Sequence, residues 1–178
     1  NATAKKGAKA WADTAEQMFD WARALEVYPR GLDCSRSTTN KKKIAILTNA
    51  GGPGVIAADS LETNGLILSQ LAESTLSALS TDLPPSASIR NPVDMLASAS
   101  PNNYATCLNL LLQDENVDGV MVILPPPPMF KTEEVAEKVI EVISAQSTVL
   151  SNGKPVVVAL MGSTLVKKAV ETFQRSHV

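Results

Sequence analysis

Ile44-Ala45-Ile46-Leu47-Thr48-Asn49-Ala50-Gly51-Gly52-Pro53-Gly54-Val55 is the stretch that decides the fold. Its first five residues are a continuous apolar run of strand length, as expected of a strand buried on both faces. The glycines behind it let the backbone turn tightly and let a ligand come close. Pro53 suits the first turn of a helix, where its missing N–H would have had no helical partner. Val55 to Asn64 then reads as a helix with Val55, Ala58 and Leu61 on one face, closed by Gly65 as a C-terminal cap. Strand, glycine turn and helix are the opening of a βαβ unit.

The rest of the chain repeats the alternation. Leu66-Ile67-Leu68 is a short second strand, and a helix around Ser74 to Leu79 stops at Leu83-Pro84-Pro85. Ser100-Pro101 opens a helix with proline in its first position, and Tyr104, Cys107, Leu108, Leu111 and Leu112 follow the helical template. Val117 to Leu124 is a third strand, ended by Pro125 to Pro128, a run too short for a polyproline ligand. Thr132 can cap a long helix that turns Val135, Val139, Val142 and Ile143 inward. Val156 to Leu160 is a fourth strand, and a last helix starts near Gly162-Ser163. Right-handed crossovers then give a parallel sheet. The predicted class is α/β, a three-layer α/β/α sandwich of flavodoxin-like or Rossmann-like kind. The chain stops at Val178, where another strand is expected. At the other end, Asn1 to Gly7 is a loose lead-in. A helix from Asp13 to Leu25 carries a capping box (Asp13, Glu16) and an apolar stripe of Met18, Phe19, Ala22 and Leu25. Tyr28 to Lys43, with Pro29, Gly31 and a lysine run, is a linker. The expected division is residues 1–43 as helix and linker and 44–178 as the sheet domain.

Composition removes several functions. The 178 residues include 16 Lys+Arg against 18 Asp+Glu, and only 4% are aromatic. Both the positive charge and the stacking platforms of a nucleic-acid binder are missing. No apolar run approaches the ~20 residues of a membrane span, and no secretory leader is expected. Cys34 and Cys107 form no CxxC pair, so neither a disulfide framework nor a zinc site is expected, and a reducing cytoplasm is the default location. The single histidine, His177, is the second-last residue, a poor foundation for a catalytic triad or a metal centre.

The chemistry therefore rests on loops. The N–H groups of Gly52, Gly54 and Val55 point out of the expected helix start and, with the helix dipole, make a site for an anion. That site lies at the carboxyl end of a parallel strand, where open α/β sheets bind ligands. It is neither the G-x-G-x-x-G fingerprint nor a P-loop, since no GK[ST] follows. A tight turn that binds nothing is the alternative reading. In Asn91-Pro92-Val93-Asp94, Pro92 pushes Asn91 into extended backbone. Asp94 then either braces a turn through backbone amides or contacts a ligand. Met161-Gly162-Ser163 offers a second glycine-containing helix start on the same rim, and Lys41-Lys42-Lys43 is a solvated approach to the first strand. A flavin-binding loop would carry hydroxyl or aromatic residues, which Asn49 to Val55 lacks.

Thr48 to Val55, then Asn91-Pro92-Val93-Asp94, the strand Gly119 to Leu124 ending in prolines, and Lys154-Pro155-Val156-Val157 leading into Met161-Gly162 resemble the NDP-forming acyl-CoA synthetases. These include ADP-forming acetate–CoA ligase and, more distantly, succinyl-CoA synthetase; the likeness runs in order from residue 13 to residue 175. It implies the flavodoxin-like ligase domain of a reversible ligase: acid, CoA and ATP to acyl-CoA, ADP and phosphate. It further implies a phosphoryl group carried by a histidine and held by helix N-termini, here Gly51, Gly52, Gly54 and Val55 as phosphate-binding residues. Asn49, Asn91, Asp94, Gly162 and Ser163 are supporting residues. No catalytic residue and no metal ligand fall in this chain. The family's Ser-His-Thr-Gly-type segment is absent, and His177 does not match it. CoA, ATP/ADP and Mg are implied for the full enzyme, with none bound tightly by this domain. The implied partners are a CoA-binding domain, a phosphohistidine domain, and an ATP-grasp domain or subunit, with a homo-oligomer also open and neither nucleic acid nor membrane among them. The alternative is a regulatory, ligand-sensing module, as in related domains fused to acetyltransferases.

Overall fold

The apolar run at Ile44 to Thr48 is an interior strand of a five-stranded, wholly parallel sheet. In the computed structural model, residues 42–149, 153–162 and 164–176 are described. The elements are β1 (Lys43–Thr48), α1 (Gly51–Thr63), β2 (Ile67–Leu68), α2 (Glu73–Asp82), β3 (Val93–Asp94), α3 (Pro101–Gln113), β4 (Gly119–Leu124), α4 (Thr132–Val149) and β5 (Val156–Leu160). A 3-10 turn (Thr164–Val166) leads into α5 (Lys167–Arg175). The helix expected over 13–25, the lead-in, most of the linker, Cys34, Ser163 and His177 lie outside the described residues.

The strand order is β2-β1-β4-β5, with β3 also paired to β1. Both short strands use the same edge of β1: β2 pairs with Lys43 and Ile44, and β3 with Leu47 and Thr48. The gap between them is filled by one side chain. Asn91 Oδ1 accepts the Ile46 amide at 2.8 Å, and its Nδ2 donates to Ile44 O at 2.8 Å and to Ser69 O at 3.1 Å. An asparagine amide carries both a donor and an acceptor, so it can stand in for a residue of a strand ladder.

Successive strand residues face opposite sides, and the two faces are covered separately. Leu47, Val120, Val122 and Leu124 pack with Leu79 of α2, Tyr104, Leu108 and Leu111 of α3, Val135 and Val139 of α4 and Phe173 of α5. Ile46 and Ile123 pack on the other face against Leu61 of α1. Helices thus flank both faces of the parallel sheet, the α/β class expected. Burying one such Leu or Ile contributes about 2 kcal/mol, and the larger cluster holds most of them.

Local signals explain the helix ends. Ser100 Oγ accepts the Asn103 amide while Asn103 Oδ1 accepts the Ser100 amide, a complete capping box with Pro101 behind it. At the end of α1, Leu66 N–H bonds Leu61 O and Gly65 N–H bonds Glu62 O, with Gly65 at φ +78°. That is a Schellman closure, which favours glycine.

Three expectations need correction. The helix α1 begins at Gly51, not at Val55, because Ala50 is already the extended N-cap and Pro53 falls within the first turn. That shift rotates Val55 outward to 59% exposure, leaving Gly54, Ala57, Ala58 and Leu61 toward the sheet. The segment at Val93–Asp94 is a fifth strand that no apolar run announced. The last helix begins at Lys167, after a 3-10 turn.

Candidate functional site

The end of β1 is braced before the turn begins. Thr48 Oγ1 and Ala50 bond reciprocally, with the Ala50 amide and the Ala50 carbonyl both 3.2 Å from the hydroxyl. An alanine N-cap has no side chain to accept helix amides, so the first turn of α1 keeps its donors. The N–H of Gly54 donates to Ala50 O at 3.5 Å, a long first helical bond, and Val55 lies one residue deeper. Pro53 has no N–H. The open donors are therefore Gly51 and Gly52, both exposed, and neither donates to any described residue.

The Asn91-Pro92-Val93-Asp94 segment fixes where that start lies. A Cβ on Gly54 would come 3.3 Å from Thr48 Cγ2 and 3.4 Å from Pro92 Cβ, so α1 sits on the proline at glycine distance. A Cβ on Gly51 would come 3.0 Å from Asp94 Oδ2. Asp94 Oδ1 accepts the Leu96 amide at 2.9 Å, and Leu96 takes up φ +68° to turn the chain. The backbone brace expected of Asp94 is thus present, and its second oxygen is left beside the helix start. Asn91 is spent on the sheet edge.

Asn49 faces a different neighbour. It is 4% exposed, and its Nδ2 donates to Pro125 O at 3.3 Å, across the carboxyl ends of β1 and β4. Helix α1 leaves β1 on one face of the sheet and α4 leaves β4 on the other, so this is the point where the strand order reverses. Asn49 Oδ1 has no partner among the described residues. Gly162, at φ +116°, packs over Pro126, at 3.4 Å from its would-be Cβ to Pro126 Cγ. It shares the rim yet touches neither α1 nor Asp94 in any contact above.

One site neighbour went unforeseen. Tyr104, whose spacing marked it only as core, is fully buried with its hydroxyl unpartnered. Burial, and secondarily the Asp94 charge, push its phenol well above the usual tyrosine range. No sequence pattern links positions 94 and 104 to a shared corner. Cys107, also in α3, is pushed up to about 12 by burial and the Asp82 charge. Such a thiol is inert.

The arrangement offers two oriented amide dipoles, from the exposed Gly51 and Gly52, with the Asp94 carboxylate beside them. Among the described residues, no group of three His, Cys, Asp or Glu side chains could hold a metal ion, and no helix is long and apolar enough to cross a membrane.

Comparison with known proteins follows the same lines. The family model of the Ligase-CoA domain matches residues 44–178. The alpha subunit of ADP-forming acetate–CoA ligase II of Pyrococcus furiosus is 38% identical over 171 residues, 94% of this chain and 34% of that subunit. ADP-forming acetate–CoA ligase I of Archaeoglobus fulgidus is 34% identical over 94% of this chain and 21% of its own length. A dinucleotide-forming acetyl-coenzyme A synthetase of Ca. Korarchaeum cryptofilum, solved with phosphate and ADP, superposes with a TM-score of 0.78 at 28% identity. It is covered over 94% of this chain and 33% of its own. The chain spans at most about a third of the curated relatives named here. With its profile match and these relatives, the chain belongs to the Ligase-CoA domain family.

Proposed function

We propose that this chain is one domain of an ADP-forming acyl-CoA ligase, which interconverts acid, CoA and ATP with acyl-CoA, ADP and phosphate. Its part is to hold a phosphoryl oxyanion at the start of α1. The observation that carries this reading is the pair of exposed amides, Gly51 and Gly52, left without partners where β1 ends. Preorganised N–H dipoles at a helix start stabilise phosphoryl charge without reorganising during reaction. In phosphoryl transfer such positioning is most of what a protein contributes. Family membership and the phosphate-and-ADP complex of the Korarchaeum relative support the choice of anion.

The chain's own residues divide the work. Thr48 and Ala50 set the turn, Pro92 seats α1 through Gly54, and Gly51 and Gly52 donate. The phosphoryl-carrying histidine, the CoA-binding domain and the ATP-grasp domain are assigned to other parts of the enzyme, as are nucleotide and Mg. The setting is cytoplasmic.

Amide NMR tests the reading. Inorganic phosphate titrated into the isotopically labelled chain is expected to shift the Gly51 and Gly52 resonances in a saturable way at millimolar concentration. Unmoved glycine amides would rule the anion site out.

A further inference from the structure

The closure of α1 holds a reactive dipeptide in an unreactive shape. In Asn64-Gly65 the asparagine amide is open to attack by the following main-chain nitrogen, because glycine has no side chain to block the approach. Both residues are exposed. The reaction needs Gly65 N to reach Asn64 Cγ, and three hydrogen bonds keep the two apart. Asn64 Nδ2 donates to Ser60 O at 2.8 Å, which draws the amide group back along the helix. Gly65 N–H donates to Glu62 O at 3.1 Å, and Leu66 N–H to Leu61 O at 2.9 Å. Asn64 stands at ψ 12°, so the Gly65 nitrogen nearly eclipses the Asn64 nitrogen and lies a third of a turn from Cβ. A five-membered ring closes only when nitrogen and Cβ are on the same side.

We propose that Asn64 is a deamidation site gated by the closure of α1, with water as its only co-reactant. When the closure opens, Gly65 N bonds Asn64 Cγ, the Cγ–Nδ2 bond breaks, and ammonia leaves with the Gly65 proton. Water then opens the succinimide at either carbonyl, giving aspartate or isoaspartate. Both products work against closing again. A carboxylate cannot donate to Ser60 O, and it sets negative charge at the negative end of the helix dipole, where no basic residue lies in the last turn. Isoaspartate also adds a methylene to the main chain between α1 and β2, whose Ile67 N–H bonds Lys42 O at 3.0 Å. The change is one-way, and it loosens the edge at which β2 pairs with β1.

The test incubates the 178-residue chain at one mildly alkaline pH and one temperature, folded in buffer and unfolded in urea. Cleavage after glutamate isolates Thr63 to Glu73, apart from the other Asn-Gly pair at Asn152-Gly153, and the amide-to-acid mass change follows conversion. Conversion is expected in the unfolded chain and at least about tenfold more slowly in the folded one, where the closure must open first. Equal rates in the two states overturn the gate, and no conversion in the unfolded chain removes the site. Asn64→Asp, which reproduces one product, is expected to speed hydrogen exchange of the Leu66 amide about fivefold, the scale of one lost hydrogen bond. Unchanged exchange overturns the effect on the closure. The comparison of folded with unfolded chain decides the gate even if the variant fails to fold.

Discussion

Replacing Asn91 by alanine isolates the seam on which the site is mounted. Three hydrogen bonds disappear: the one from the Ile46 amide at 2.8 Å, and those to Ile44 O at 2.8 Å and Ser69 O at 3.1 Å. Ile44 O keeps a second donor in the Ser69 amide at 2.9 Å. The Ile46 N–H and the Ser69 carbonyl have no replacement among the described residues, and both residues are buried. A net bond contributes about 1 kcal/mol, and an orphaned buried group costs about 1–3 kcal/mol. The change should therefore destabilise the fold by about 3–4 kcal/mol, a large share of the ~5–15 kcal/mol available to a domain. At this chain length that lowers Tm by roughly 10 °C. Urea unfolding followed by circular dichroism measures it. Asn91→Asp should be at least as damaging at neutral pH, because it keeps the acceptor for Ile46 but sets a charge against two carbonyls. A loss below about 1 kcal/mol for both variants would refute the idea that one side chain closes the edge of β1.

Other outcomes follow from single features. Ser100→Ala breaks the capping box of α3 and should cost about 1 kcal/mol in the same unfolding assay. Gly65→Ala meets no atom within 4 Å but must hold φ +78°, so it should destabilise by about 1–2 kcal/mol from backbone strain alone. Gly65→Asn should cost less. Cys107 should resist thiol reagents at mildly alkaline pH until the chain unfolds, as mass mapping of its peptide would show. Tyr104 keeps its proton when folded, whereas in the unfolded chain it ionises near the ordinary value of about 10. Above that pH the unfolded state binds fewer protons than the native one, so stability falls as pH rises. Tyr104→Phe should flatten that alkaline loss in a pH series of unfolding curves.

What was legible in the sequence was whatever a period or a cap encodes. The runs at Ile44 and Gly119, the α3 stripe from Tyr104 to Leu112, Ser100-Pro101 and Gly65 all sit where their pattern places them. The start of α1 was displaced by four residues because Ala50 and Gly51 carry no capping side chain, and Pro53 is compatible with several places in a first turn. That displacement transfers the open donors from the set of Gly52, Gly54 and Val55 to Gly51 and Gly52. The strand at Val93 escaped notice since two residues cannot show a period of two. Its neighbour Asn91 works through its side chain, which no backbone propensity records. The Asp94–Gly51 approach joins positions that only the closed sheet edge brings together.

That edge bears on the order of folding. Helix α1 can coil locally, but the ledge that seats it comes from Asn91 and Pro92, which must return across the whole of β2 and α2 before Gly54 finds its proline. Contacts of such long sequence separation form after loop closure has been met. The glycine start should thus be among the last parts to acquire its native shape, and hydrogen exchange should find it opening more readily than β1 and β4 beneath it.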